Sequence, residues 1–184
     1  MALPAASATH AVLAANAAIK ADFGASPSFF GLGEVGGGHA AAGTDAETST
    51  SSDSFVVNLA DLPAPGNLVL GLYDGQAVGG GVTGVTLSVT ENGLSLIDKS
   101  FSSGADAQAY FTDDAFDTLL ALHNTGTVTL DVSLTVQSDA PGSGFYGHFI
   151  IGDPPLPSSA APLASHDVAP DLALLMAPAH PDLL

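Results

Sequence analysis

The sequence has no cysteine, no tryptophan and no arginine, and its basic residues are two lysines, Lys20 and Lys99. Without cysteine there is no disulfide framework and no thiol chemistry. Nineteen acidic residues stand against those two lysines, and the formal net charge is −17. Phosphate backbones are bound by Lys and Arg that displace counterions, so this balance excludes nucleic acid as a partner. Anionic membrane surfaces are disfavoured for the same reason. No run of eighteen apolar residues occurs, so no helix is expected to insert into a membrane. The first twenty residues also lack the basic start and Leu-rich block of a Sec signal peptide. If the chain is exported, its address lies elsewhere or it is a piece of a longer protein.

What is present is a strand. Thr127 to Val136 reads TVTLDVSLTV. Val128, Leu130, Val132, Leu134 and Val136 alternate with Thr129, Asp131, Ser133 and Thr135. Side chains on a strand point to opposite faces with period two, so this segment has one dry face and one wet face. Hydrophobic residues make up 46% of the chain, enough for a core around it.

Other segments repeat the pattern. Phe55, Val57 and Leu59 alternate in one strand, ended by Pro63 and Pro65. Leu68, Leu70 and Leu72 form another, which the Asp74-Gly75 pair is expected to stop as a turn. Val85, Leu87 and Val89 lead into Asn92-Gly93, the strongest hairpin signal in the chain. On the return strand Leu94 and Leu96 have one parity and Ile97 and Phe101 the other, which points to a bulge near Leu96. Ser28 to Val35 is a glycine-interrupted first strand, and residues 36–53 are expected to be a long loop that becomes an edge strand near Thr48. A helical crossover is expected over 103–122. Ser103 with Asp106 resembles a capping box, and Phe116, Leu119 and Leu120 supply a second turn. A turn at Asp139–Gly142 leads to a last strand, in which Phe145, Phe149 and Ile151 share a parity.

Short strands separated by turns about every 8 to 12 residues argue an all-β antiparallel sandwich of jelly-roll type rather than alternating β and α units. The expected organisation is an Ala-rich leader over 1–26, a sandwich over 27–153 and a Pro/Ala-rich tail over 154–184. Val12, Ala15, Ile19 and Phe23 fall at helical spacing, but their apolar stripe is thin, which leaves the leader open between a short helix and a linker-like segment.

Few residues group into a chemical motif. Gly31-Leu32-Gly33-Glu34-Val35-Gly36 matches GxGxxG, but GGGHAAAG cannot start the helix that a dinucleotide loop needs. Close backbone packing is the better reason for these glycines. The six histidines are scattered, with no metal-ligand spacing. Ser143, His148 and Asp139 share a short window, but no GxSxG elbow exists and triads are set by geometry. Asp113, Asp114 and Asp117 are the densest acidic group and the candidate calcium ligands, although their spacing fits no EF-hand. Acids complementing a helix dipole are their ordinary explanation. Tyr73, Tyr110, Tyr146 and His148 are the candidate binding residues for stacking on a sugar.

Four pieces carry a family resemblance: Phe30-Gly31-Leu32-Gly33-Glu34, Leu72-Tyr73-Asp74-Gly75, Phe111-Thr112-Asp113-Asp114, and Ser138 to Phe145. The run from Phe29 to Asp153 resembles a β-rich module of long, acidic, lysine-poor bacterial exported proteins of the adhesin or surface-filament type. The resemblance implies an extracellular or cell-surface location, with an uncleaved C-terminal export signal that the Leu-rich ending at 171–184 would supply. It implies no catalytic residue and no cofactor. The expected role is a non-catalytic structural module that pairs strand edges with itself or with a host chain, the motive being the Thr/Ser-rich edge at Thr48–Ser54. The alternatives are a carbohydrate-binding module with a polysaccharide partner, and a glycan lyase or hydrolase.

Overall fold

A computed structural model describes residues 11, 14–15, 17–23, 30–43, 45–62, 68–111, 115–118 and 125–153. Eight strands run in chain order: β1 (Phe30–Gly38), β2 (Glu47–Asn58), β3 (Val69–Val78), β4 (Val82–Glu91), β5 (Leu94–Phe101), β6 (Ala115–Thr118), β7 (Thr127–Ser138) and β8 (Gly144–Gly152). Helices described with them are α1 (Ala17–Phe23), ahead of β1, and α2 (Gly104–Tyr110), between β5 and β6. One four-stranded sheet has the order β1-β8-β3-β6 and the other β2-β7-β4-β5. The pairings β1 with β8, β2 with β7, β3 with β6 and β4 with β5 are nested and all antiparallel. A chain doubled back on itself and then wound into two layers gives this order, which is that of a jelly roll. The expected all-β sandwich is the fold.

The alternation in β7 has the predicted consequence. Val128, Leu130, Val132, Leu134 and Val136 are all buried between the sheets. They meet Leu70, Leu72, Phe145, Phe149 and Ile151 from the opposite sheet in one cluster. Burying a Leu or Phe side chain stabilises by about 1.5–3 kcal/mol, so this layer dominates the fold. A second, smaller cluster lies on the other face of the β1-β8-β3 sheet, where Phe23 of α1 is buried with Val69, Tyr73 and Ile150.

The turn chemistry is mostly as the residues predict. Asn92 and Gly93 both have positive φ (49° and 83°), as a two-residue hairpin turn with the right twist requires. In β5, Val89 pairs with Ile97 and Thr90 with Ser95, so Leu96 is the extra residue of a bulge. Ser103 caps α2, its hydroxyl accepting from Asp106 N at 3.1 Å.

Three expectations are corrected. Asp74-Gly75 does not end a strand; β3 runs through it to Val78, and the register against β8 shifts between Tyr73 and Gln76. Asp74 takes φ 51°, while Gly75 N donates to the Phe111 carbonyl at 3.1 Å. A side chain at Gly75 would strike Phe111, so the pair makes a bulge against α2's end. The helix of 103–122 stops at Tyr110, and 115–118 is strand, paired with Val69–Leu72 of β3. At Phe116 edge pairing outweighs helical periodicity, while 112–114 and 119–122, with Leu119 and Leu120, lie outside the described residues. The loop expected over 36–53 is short, because β1 reaches Gly38 and β2 begins at Glu47.

Candidate functional site

The side of the sandwich formed by β1 and β2 is built from residues too small to fill it. Gly31, Gly33 and Gly37 of β1 face β2, opposite Phe55, Asp53 and Ser49. A Cβ at Gly33 would overlap both the Phe149 ring and the Asp53 carboxylate. Close backbone approach is therefore the use of the glycines in the GxGxxG match. The Gly36 N–H points off the edge of β1 and donates to Ser51 Oγ of β2 at 2.7 Å. That outward donor of β1 is thus taken by a β2 side chain.

The edge of β2 is different. Thr129 N and O both bond Asn92, beyond the end of β4, so the odd-numbered residues of β7 aim their main chain at β4. The even-numbered ones then serve β2, where Ser51 pairs with Leu134 and Asp53 with Val132. Hence Thr48, Thr50, Ser52, Ser54 and Val56 hold N–H and C=O groups that point away from the sheet. All five are exposed, Val56 to 70%. Among the described residues no strand pairs with this edge.

The other two edges are defended. β6 has four residues. β5 is bulged at Leu96 and carries Lys99, two common devices against edge pairing. β2 has twelve residues, an unbroken register against β7, and neither lysine nor proline. Only its inward-pointing Asp53 resembles a guard.

Rows of hydroxyls run inward from this edge across the outer face of the same sheet. Thr50, Thr135, Thr86 and Ser100 are in register, as are Ser52, Ser133, Ser88 and Asp98. Neighbours in the first row bond each other: Thr50 Oγ1 to Thr135 Oγ1 at 2.9 Å and Thr86 Oγ1 to Ser100 Oγ at 3.2 Å. This outer face is polar.

The outer face of the other sheet gathers three of the four candidate binding residues. Tyr73 on β3 stacks on His148 on β8, with ring centroids 5.4 Å apart and planes 23° from parallel. Glu34 on β1 lies on the other side of His148, Oε2 to Nε2 at 3.6 Å. His148 Nδ1 is buried with no hydrogen-bond partner among the described residues. Tyr146, two residues earlier on β8, donates its hydroxyl to Gln76 Oε1. A shallow groove of about 500 Å³ begins beside it, with Glu34, Gly36, Val78 and Gly144 among its walls. Tyr73 is itself buried beneath Phe23, and burial, with Asp74 adding, pushes its phenol up to about 12. It is therefore a neutral packing residue and not an open stacking platform.

The remaining candidates lie elsewhere. Tyr110 ends α2, packed on Phe101 at 5.0 Å with the Lys99 ammonium 5.1 Å from its ring centre. Asp113 and Asp114 fall outside the described residues, and Asp117 is on β6. Ser143 accepts from Gly81 N at 3.0 Å in the β7–β8 turn, while His148 is on the outer face with Glu34, so no triad forms from them. Residues 154–184, which hold the expected export signal, also lie outside the described residues. Among the described residues no helix is long and apolar enough to cross a membrane.

Sequence reading missed three residues. Glu34 and Gln76 were not singled out; Glu34 lies on the wet parity of β1, opposite Val35, and that was its available signal. His39 was the third. Its buried ring places Nδ1 2.7 Å from the Ala40 carbonyl and Nε2 2.6 Å from the Asp45 carbonyl, with Glu47 Oε2 3.6 Å from Nδ1. Two acceptors facing two ring nitrogens suit the imidazolium, which donates from both. The two carbonyls, Ala40 first, raise its pKa above the ordinary value, and Glu47 and Asp139 add to them. No family model, no curated protein and no solved structure matches this chain.

Proposed function

We propose that the chain is a non-catalytic, exported or cell-surface structural module that assembles by pairing the open edge of β2. One observation carries this reading: of the four sheet edges, β2 is the longest and in unbroken register, with its outward main-chain groups unpaired among the described residues, whereas β6 is short, β5 is bulged and carries Lys99, and β1 has its Gly36 N–H taken by Ser51. Such an edge is a template for another strand. The net charge of −17 keeps the module dispersed except where hydroxyls replace carboxylates, as along Thr48–Ser52.

Ser52→Pro tests it. Its N–H points outward, so proline removes a donor for assembly without touching the β2–β7 ladder. Light scattering after size exclusion should find assembly in the parent chain and monomer in the variant. A parent chain that stays monomeric at high concentration overturns the reading.

Glu34 and Tyr146 line one groove, Glu34 facing His148 and Tyr146 bonded to Gln76 beside it, and this favours a second reading, a carbohydrate-binding face. A glycan array that binds the parent chain but not Tyr146→Ala would support it; silence with the parent chain would remove it.

A further inference from the structure

We infer that the partner of β2 is β2 of a second copy, in an antiparallel two-fold dimer centred on Ser52. This rests on the edge-pairing reading above and adds the partner and the register.

The register follows from symmetry and charge. A two-fold axis normal to the sheet places one residue opposite itself, and residue i opposite residue j with i + j constant. β2 spans residues 47–58, so its midpoint falls between Ser52 and Asp53. Those two centres give the longest overlap. Centring on Asp53 sets that carboxylate against its own copy, a destabilising like-charge pair. Centring two residues earlier, on Thr50, sets Glu47 against Asp53. Centring on Ser52 does neither: Asp53 meets Ser51, and Glu47 meets Val57.

The same centre matches the main chain. Ser52 is one of the even-numbered residues whose N–H and C=O point outward, so it and its copy exchange both hydrogen bonds. Thr50 then opposes Ser54, and Thr48 opposes Val56. Hydroxyl faces hydroxyl in the middle of the interface, as Thr50 already faces Thr135 inside the sheet. The two polar outer faces join into one eight-stranded face in the order β5-β4-β7-β2-β2-β7-β4-β5. The edge is consumed by its own copy, so the product is a closed dimer and not a filament.

Because the chain has no cysteine, an engineered thiol can pair only with another copy. Across a hydrogen-bonded antiparallel pair the Cα atoms are about 5.5 Å apart, within disulfide reach. Ser52→Cys should therefore oxidise to a covalent dimer at least tenfold faster than Ser88→Cys, which lies on β4 inside the sheet. Val56→Cys alone should stay reduced, since its own copy lies about 27 Å away, eight residues along at about 3.4 Å each. Mixing Val56→Cys with Thr48→Cys should restore cross-linking. Light scattering on the parent chain separates the two claims. A parent dimer in which Ser52→Cys oxidises no faster than Ser88→Cys overturns this register and leaves edge assembly standing. A parent monomer overturns both.

Discussion

β1 and β2 lie on the same side of the sandwich, each the first strand of its sheet, and they solve the edge problem in opposite ways. β1 is thin, with Gly31, Gly33 and Gly37 turned toward β2, and its outward Gly36 N–H is taken by Ser51. β2 supplies that cap and has none among the described residues. Main-chain polar groups are obligatory hydrogen-bonding groups, so the two edges differ in what remains for a partner. Glycine content does not decide it. What decides is whether a neighbouring side chain reaches the outward groups.

The comparison breaks most severely if β1 is thickened. Gly33→Val places a branched side chain into the Phe149 ring and the Asp53 carboxylate, and overpacking of this kind should cost about 3 kcal/mol. A urea midpoint well below that of the parent checks it. Gly80→Ala, where a Cβ meets nothing within 4 Å, is the matched control and should lie within about 0.5 kcal/mol. Ser51→Ala removes the cap and leaves the Gly36 N–H without its acceptor, a loss of about 1–2 kcal/mol. It should also speed amide exchange at Gly36, making β1's edge resemble β2's.

A further effect is read as a slope against pH. His39 bridges the β1–β2 connection, and its N–H and C=O bond the β7–β8 turn at Ser143 and Gly142. Its folded pKa is raised from 6.5, chiefly by the Ala40 carbonyl and then the Asp45 carbonyl. A raised value means that the folded state holds the proton more tightly than the unfolded state. The stabilisation is full below 6.5 and is lost as pH rises through the higher folded value. Urea midpoints should fall over that window in the parent and stay level in His39→Gln. The smallest change is Thr50→Ala, which deletes one exposed hydroxyl bond to Thr135 and should cost about 0.5 kcal/mol.

The strands of this fold were legible wherever one face was dry. β7, the Asn92-Gly93 hairpin and the bulge at Leu96 all follow from parity and turn chemistry. Asp74-Gly75 misled because a left-handed residue serves a bulge as well as a turn, and the choice is made by Phe111, far along the chain. Phe116 misled because strand β3 offers an edge that no local periodicity reveals. Tyr73, Tyr146 and His148 were singled out separately; what joins them is cross-strand register, which is set by the whole sheet. That Tyr110 leaves the group and Glu34 enters it has the same cause. The open edge at Thr48–Ser54 was visible as a run of hydroxyls, but only the sheet order makes it an edge.

Hydrogen exchange along β2, followed as protein concentration rises, tests the central claim most directly. Amides of Ser49, Ser51, Asp53 and Phe55 point to β7 and should be protected at every concentration. Those of Thr50, Ser52, Ser54 and Val56 point outward and should gain protection together as the dimer forms. Outward amides that exchange at one rate across all concentrations would contradict the account.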